Sequence, residues 1–540
     1  MAGNWKKWAG ALAVTLAGLG AAWVGVKQSE MGLARRYFKL PGEQNGEQPL
    51  PVLAFEPEEA KPQSPAMLVA HGFSGNKELM QAIGVEVARH GLRTFMVDFP
   101  GHGASKTASV TPQQDFSNVV AANVRQLERI YQHVRQKFPK AEVGVLGHSM
   151  GSGAVLNFAA GRPELAAAIP ISVAGIQPAS RTNPKNMLLL VGERDVPICL
   201  SSATEIFEKA TGQANPGPEK TVGNFADGSA RRFKILPKLD HITILFATST
   251  MREISQWLEK SFGVVHSAQA GGVDRLRWTG LGLASAFAAF FPYSALLTQL
   301  LDLKAKPEKP ALSASQTRPL NRTLAVAVMT ASPFISVLVW NKLKVPRLVR
   351  LQLGDYIMAF FGLGGVVAWA GLAGSQGKRL NLGRMSQAAR GNLNQKALSW
   401  AILPLGLWAF VYATLGRFSR RTWYGFSLTP ARARAMTTIT AGLLPYFLAN
   451  ELVYRQIGGW KGYGLSLVSK FSLVAALILA VRLKPELSFL VILLPAMVLT
   501  FILFELYAMW QYRQGRDFVT TGVFQALVFA WIISALFPLI

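Results

Sequence analysis

EVGVLGHSMGSGAVLNFAA (Glu142–Ala160) is the stretch on which the reading of this chain turns. Glu142–Gly147 has the short apolar run of a buried strand, and Met150–Ala160 has the small residues of a tightly packed helix. Between them, Gly147-His148-Ser149-Met150-Gly151 fits G-x-S-x-G. A strand that turns at once into a helix forces its corner residue into a strained, exposed position. The flanking positions must then be glycine, because side chains there would strike neighbouring backbone.

Further short runs lie on either side. Pro65–Gly72 (PAMLVAHG), Leu92–Asp98 (LRTFMVD), Ala166–Ser172 (AAAIPIS), Met187–Val191 (MLLLV) and Arg232–Leu236 (RFKIL) read as strands. Helical patterns such as Asn118–Phe138 alternate with them. Such alternation predicts a mostly parallel sheet covered by helices on both faces. On these motifs residues 41–265 resemble the α/β-hydrolase superfamily, which implies a serine hydrolase with acid and base following in the order Ser…Asp…His. Asp195 ends MLLLVGERD, where the family places its acid, and His241 lies in KILPKLDHITI, where it places its base. Ser149 is then the nucleophile, His241 the general base and later acid, and Asp195 the group that orients the imidazole. Asp98 and Asp240 are rival acids, but Asp240 adjoins His241 too closely to orient it. The resemblance implies an oxyanion hole from the N–H of Met150 and, in the loop His71-Gly72-Phe73-Ser74-Gly75, from that of Phe73. Asp98-Phe99-Pro100-Gly101-His102-Gly103 matches the family's D-x-x-G-x-G turn, with His102 structural. Only Val173–Asn186 stands where many lipases carry a cap, so an open cleft is expected, with Thr211–Ala230 the one insertion able to overhang it. This chemistry calls for no cofactor.

The rest of the chain is of another composition. Half of the 540 residues are apolar and 16% charged, against about 25% charged in soluble domains. The net charge of +26 lies outside 41–265, where acids and bases nearly balance. The basic residues therefore sit between apolar spans, which suits anionic lipid headgroups and disfavours a nucleic-acid partner. With Cys199 as the single cysteine, an intrachain disulfide is excluded.

Trp8–Val26 is an uncharged run long enough to cross a bilayer, read as a retained signal anchor in a domain 1–40. Residues 266–540 carry eight apolar runs: Trp278–Leu301, Thr323–Asn341, Tyr356–Gly377, Ala397–Gly416, Ala435–Tyr454, Gly462–Val481, Leu487–Tyr512 and Phe518–Ile540. This predicts an all-α multi-span bundle, joined by a polar connector at Asp302–Pro319. No histidine follows His266, so the bundle has no His- or Cys-based metal site. Its ionisable residues are Glu451, Lys470 and Glu505, with Arg455 just outside, and their expected role is to pair and lock helices.

Asn450-Glu451-Leu452-Val453-Tyr454-Arg455 is similar to the E-E-x-x-x-R motif of the CAAX-protease-like intramembrane family. Gln525–Trp531 is similar to that family's H-x-x-x-N helix. Asn450, Gln525 and Phe529 replace a Glu, the His and the Asn, so over 400–540 the resemblance implies fold and not proteolysis.

The leading expectation is a membrane-tethered hydrolase of acyl esters or lipids, multi-pass in a bacterial inner membrane, with membrane lipids as partners. Lys6-Lys7 favours an outward-facing hydrolase. A peptidase or thioesterase would use the same machinery. A bundle that binds or moves a lipid or small molecule, served by the hydrolase, is the other class of reading.

Overall fold

The computed structural model describes residues 2–42, 46–110, 116–175, 177–214, 217, 219–264, 272–301, 322–342, 348–376, 398–514 and 518–540. The connector 302–319, the boundary at 265/266, Gly377 and Ala397 lie outside them. The chain forms two compact units. One comprises 18–284, 416–427 and 535–540; the other comprises 1–17, 285–415 and 428–534.

The first unit is built on a nine-stranded sheet in the order β1-β2-β4-β3-β5-β6-β7-β9-β8. The strands are β1 (Leu33–Leu40), β2 (Leu50–Pro57), β3 (Ala66–Ala70), β4 (Arg93–Val97), β5 (Val143–His148), β6 (Ala167–Ile171), β7 (Met187–Gly192), β8 (Thr221–Val222) and β9 (Arg231–Leu236). From β4 across to β9 the neighbours are parallel, and β1, β2 and β8 pair antiparallel at the two sides. The middle strands are buried on both faces, so they read as continuous apolar runs. Two apolar layers flank the sheet. Leu68, Val145, Leu127, Ile130 and Phe158 lie in one, and Met67, Val69, Ile83, Leu146 and Trp257 in the other.

Three strands differ from the expectation. β1 (LARRYFKL) starts at Leu33 and is half exposed, so the sheet begins before the expected domain start at 41. A charged edge strand carries no apolar signal of its own. β2 is buried but carries Pro51 near its start and Pro57 at its end. The insertion 211–230, which could cover part of the cleft, supplies β8 to the sheet edge, where Thr221 and Val222 pair with Arg232 and Arg231.

Distant segments of this unit meet on Glu30. Its carboxylate accepts from Arg35 (2.8 Å), Arg275 (2.8 Å) and Arg421. Arg35 and Arg275 also donate to the carbonyl of Arg421 at 3.2 and 2.9 Å, close to the end of helix Arg417–Thr422, where orphan carbonyls need donors. Glycine lets helices approach closely here: a Cβ on Gly25 would stand 2.1 Å from Trp278, and one on Gly282 2.0 Å from Phe418.

Among the described residues, eight helices are long and apolar enough to cross a membrane, Trp5–Gln28 included. The expected run Ala435–Tyr454 lies in the 28-residue helix Pro430–Ile457, which is not one of the eight. Arg432, Arg434, Glu451 and Arg455 lower its hydropathy. In the second unit Glu451, Arg455, Lys470 and Glu505 do pair. Arg455 reaches Glu451 and Glu505, each at 2.9 Å, and Lys470 binds Glu505. Asn450 Oδ1 accepts from Ser466 (2.9 Å) and Lys470 (3.0 Å), and Gln525 donates to Glu451 at 3.0 Å.

Two acids and two bases leave this buried cluster neutral, and removing one member uncovers a charge. Lys470→Met is expected to destabilise the chain by about 3–5 kcal/mol, and Lys470→Met/Glu505→Met to recover most of it. Thermal unfolding of both variants in detergent checks this, and equal losses in the two would contradict it.

Candidate active site

Ser149 occupies the corner between β5 and helix Met150–Ala160, at φ +55°, ψ −120°. That conformation is costly for any residue with a Cβ and is held by close packing. A Cβ on Gly147 would lie 2.3 Å from the Gly151 carbonyl oxygen, and one on Gly151 2.5 Å from that of Ala70. The Ser149 N–H donates to Ile171 O at 2.8 Å. Ser152 Oγ laces the corner, accepting from Ile171 N (2.9 Å) and lying 2.7 Å from the carbonyls of Gly147 and Ile171. Ser149 stands at the helix N-cap, yet its side chain caps nothing. Its Oγ faces His241 instead, 2.9 Å from Nε2.

His241 follows β9 and Asp195 follows β7, so all three side chains collect beyond the carboxyl ends of parallel strands, where open α/β sheets leave a crevice. His241 Nδ1 lies 2.7 Å from Asp195 Oδ1. An ionised carboxylate only accepts, so Nδ1 carries the proton and Nε2 is left to accept from the serine hydroxyl. Asp195 Oδ1 also accepts the Val196 N–H (2.7 Å), and Oδ2 accepts Ser172 Oγ–H (2.5 Å). Burial works to raise the Asp195 pKa, but the hydrogen bonds from His241, Ser172 and Val196 outweigh it and hold the carboxyl below its ordinary value.

The structure thus brings Ser149, Asp195 and His241 together and separates the rival acids. Asp98 is fully buried under Lys77, bonded to its Nζ (2.6 Å) and N–H (2.8 Å) and to the Ala104 N–H (2.8 Å). Asp240 caps the turn after it, accepting the N–H groups of Ile242 and Thr243. His102 sits 2.8 Å from Pro100 O through Nδ1, with its ring against His71 and edge-on to Phe73. Phe73 is half-buried in the loop after β3, and Met150 packs partly against the apolar layer behind β5.

Several contributors were not singled out from sequence. Ser172, buried at φ +53°, supports Asp195. His148 donates from Nε2 to the His241 carbonyl at 2.8 Å, and the two rings lie 4.8 Å apart. His71 accepts the Phe99 N–H at Nε2 (3.1 Å) and donates from Nδ1 to Gly72 O (2.8 Å), which fixes its neutral tautomer. The x positions of a motif and a histidine before a glycine carry no mark of these partners. Cys199 lies 3.9 Å from His241 Nδ1 and, with Asp195 and His241, forms a grouping of metal-ligand type. Its thiol donates to Ser172 O at 3.4 Å, and burial, then the Asp195 charge, push its pKa up. Both oxygens of Asp195 and Nδ1 of His241 are already engaged in hydrogen bonds.

A serine at a strand–helix corner after β5, with an acid after β7 and a histidine after β9, is the arrangement of the α/β-hydrolase fold, and this unit has that fold. A family model described as "Serine aminopeptidase, S33" matches residues 61–212. Cutinase 1 of Thermobifida cellulosilytica is 29% identical over 107 residues, which are 20% of this chain and 38% of that protein. Cutinase est1 of Thermobifida alba is 27% identical over 142 residues, 26% of this chain and 46% of that one. The chain thus spans less than half the length of these curated relatives. An esterase of Pyrococcus furiosus aligns with a TM-score of 0.33 and 14% identity, covering 43% of this chain and 94% of that structure.

Two buried imidazoles make the unit sensitive to acid. Burial lowers His71 to about 4 and, helped by repulsion from His241, lowers His148 to about 3, against 6.5 when solvated. The unfolded chain therefore takes up protons that the native one refuses, and stability falls as pH drops from 6.5 towards 4. For His71 alone the loss amounts to about 3 kcal/mol. Thermal unfolding at stepped pH should show a melting temperature declining steeply over that window; a level one would contradict it.

Proposed function

We propose that this protein is a membrane-anchored serine hydrolase that cleaves carboxylic esters. The single observation that carries the reading is the chain of contacts Ser149 Oγ–His241 Nε2–His241 Nδ1–Asp195 Oδ1, at 2.9 and 2.7 Å. Ser149 Oγ attacks the acyl carbon as His241 Nε2 takes its proton. The imidazolium that forms is stabilised by Asp195. The N–H groups of Phe73 and Met150 receive the developing oxyanion, each worth about 3–4 kcal/mol of barrier. His241 then passes its proton to the leaving alcohol, and water repeats the sequence on the acyl-enzyme. No step calls for a cofactor.

The names of the relatives favour esters. Both cutinases, and the bis(hydroxyethyl) terephthalate hydrolase of Streptomyces coelicolor at 31% identity over 107 residues, are named for ester substrates. The short link Val173–Asn186 favours an open cleft, suited to acyl chains or lipids presented at a surface. The domain plan proposed is an anchor 1–40, a hydrolase 41–265 whose sheet begins at Leu33, and a polytopic part 266–540. The site proposed is a bacterial inner membrane, with the hydrolase outward on the strength of Lys6-Lys7. A second reading, peptide-bond cleavage, has in its favour the aminopeptidase description of the family model.

A fluorophosphonate probe is expected to label the wild type and not Ser149→Ala. Turnover of p-nitrophenyl acyl esters should fall at least about 10⁴-fold in Ser149→Ala, and by about 10⁴ in Asp195→Asn, which leaves the imidazole in the wrong tautomer. Equal labelling of wild type and Ser149→Ala would sink the proposal. Faster turnover of aminoacyl p-nitroanilides than of esters would select the peptidase.

A further inference from the structure

The loop that carries Phe73 is held from outside the sheet. Residues 72–75 form a tight turn closed by the Gly75 N–H donating to Gly72 O at 3.0 Å. Gly72 is pinned against the nucleophile, since a Cβ there would lie 2.9 Å from both Ser149 Cβ and His148 Nδ1. The other flank is less secure in itself. Ser74 is buried at φ +57°, a conformation that the third residue of such a turn reaches readily only as glycine or asparagine.

What secures that flank comes from residues 423–426, some 350 positions later in the chain. Tyr424 Oη donates to Ser74 O at 2.8 Å and lies 3.2 Å from Ala535 O. Asn76, fully buried, faces Gly425 as a peptide group would: Nδ2 donates to Gly425 O (3.1 Å) and Oδ1 accepts the Gly425 N–H (3.3 Å). Gly425 sits close to the buried Glu78 carboxylate, and a Cβ there would stand 2.7 Å from Oε2, so one of the two would have to shift. Tyr424 is itself 2% exposed and packs on the ring of Phe426, 4.6 Å away. A second clasp lies beside it. The N–H of Leu539 donates to Gly101 O (2.9 Å), and its carbonyl accepts the Ser109 N–H (2.7 Å). This holds the turn that places His102 against Phe73.

We propose that Tyr424 and Gly425 are positioning residues of the hydrolase: they fix the Ser74 carbonyl and the Asn76 side chain so that the Phe73 N–H stays aimed at the oxyanion. The inference rests on the reading of Ser149 as nucleophile. A stretch of chain flanked by apolar helices thereby completes the transition-state site, although none of its side chains need touch substrate. A brace of this type acts where charge develops, not where substrate rests, so it alters kcat and leaves KM alone.

The test uses the full chain in detergent, with p-nitrophenyl butyrate as substrate and rates normalised to fluorophosphonate-titrated sites, or to total protein for Ser149→Ala. Tyr424→Phe removes one hydroxyl and keeps the packing. It is expected to lower kcat per site about five- to tenfold, the scale of one neutral hydrogen bond, with KM unchanged. Gly425→Ala, which crowds the segment against Glu78, should lower kcat in the same way. Wild-type kcat per site in both variants overturns the proposal, even if melting temperatures fall, because the segment would then be stabilising only. Ser149→Ala run alongside separates the two claims. Turnover that survives in it overturns the hydrolase reading. Turnover lost there but unchanged in Tyr424→Phe overturns the brace alone.

Discussion

The corner at Ser149 is the constraint to which the surrounding structure answers. A left-handed φ at a residue with a side chain is stored strain of order 1–3 kcal/mol. It persists because several neighbours enforce it together: the Gly151 carbonyl packed on Gly147, the Ala70 carbonyl packed on Gly151, and the bonds of Ser152 and Ile171 across β5 and β6. The consequence is chemical. A serine at an ordinary N-cap turns its oxygen towards the amides of its own helix. Here the oxygen is denied that partner and faces an imidazole nitrogen at 2.9 Å instead.

The polar groups around that corner are arranged in layers. Asp195 is held by Ser172 and by the Val196 amide, the His241 backbone by His148, and the loop before Phe73 by His71, which bonds both Phe99 and Gly72. Each support comes from the end of a different strand, so sheet register is transmitted to the reacting atoms. The helical unit uses buried polarity differently. Its charges cancel within one cluster over Glu451, Arg455, Lys470 and Glu505. Such a cluster is costly to break at one member, because a buried charge is then left without its partner.

The legible part of the fold was the part with a strong apolar period. The strands from 65 to 236 are buried on both faces and announce themselves, and the G-x-S-x-G corner follows because only glycine fits its flanks. That Asp195 and His241 would meet Ser149 was legible from order along the chain, which the strand succession fixes. β1 escaped because an edge strand with arginines and a lysine looks like a loop, and β8 because two residues form no pattern. The middle of helix Pro430–Ile457 reads as a span, while Arg432, Arg434, Glu451 and Arg455 make the whole helix less apolar than its neighbours. Ser172, His148, Asn76 and Tyr424 were invisible for one reason: each acts through a partner distant along the chain, and a lone polar residue does not reveal its partner. Nothing in WYGF (Trp423–Phe426) points to residues 74–78.

That separation has a temporal side. Polypeptides emerge from the ribosome at about 5–20 residues per second, so the stretch from His241 to Gly425 takes on the order of 10–40 seconds to appear. For that interval the sheet, the strained serine and both of its partners already exist, while the turn at Ser74 lacks the hydroxyl and the peptide group that later grip it. The nascent hydrolase is therefore complete in sequence before it is complete in geometry, and its maturation is deferred until the helices near the far end of the chain have been made.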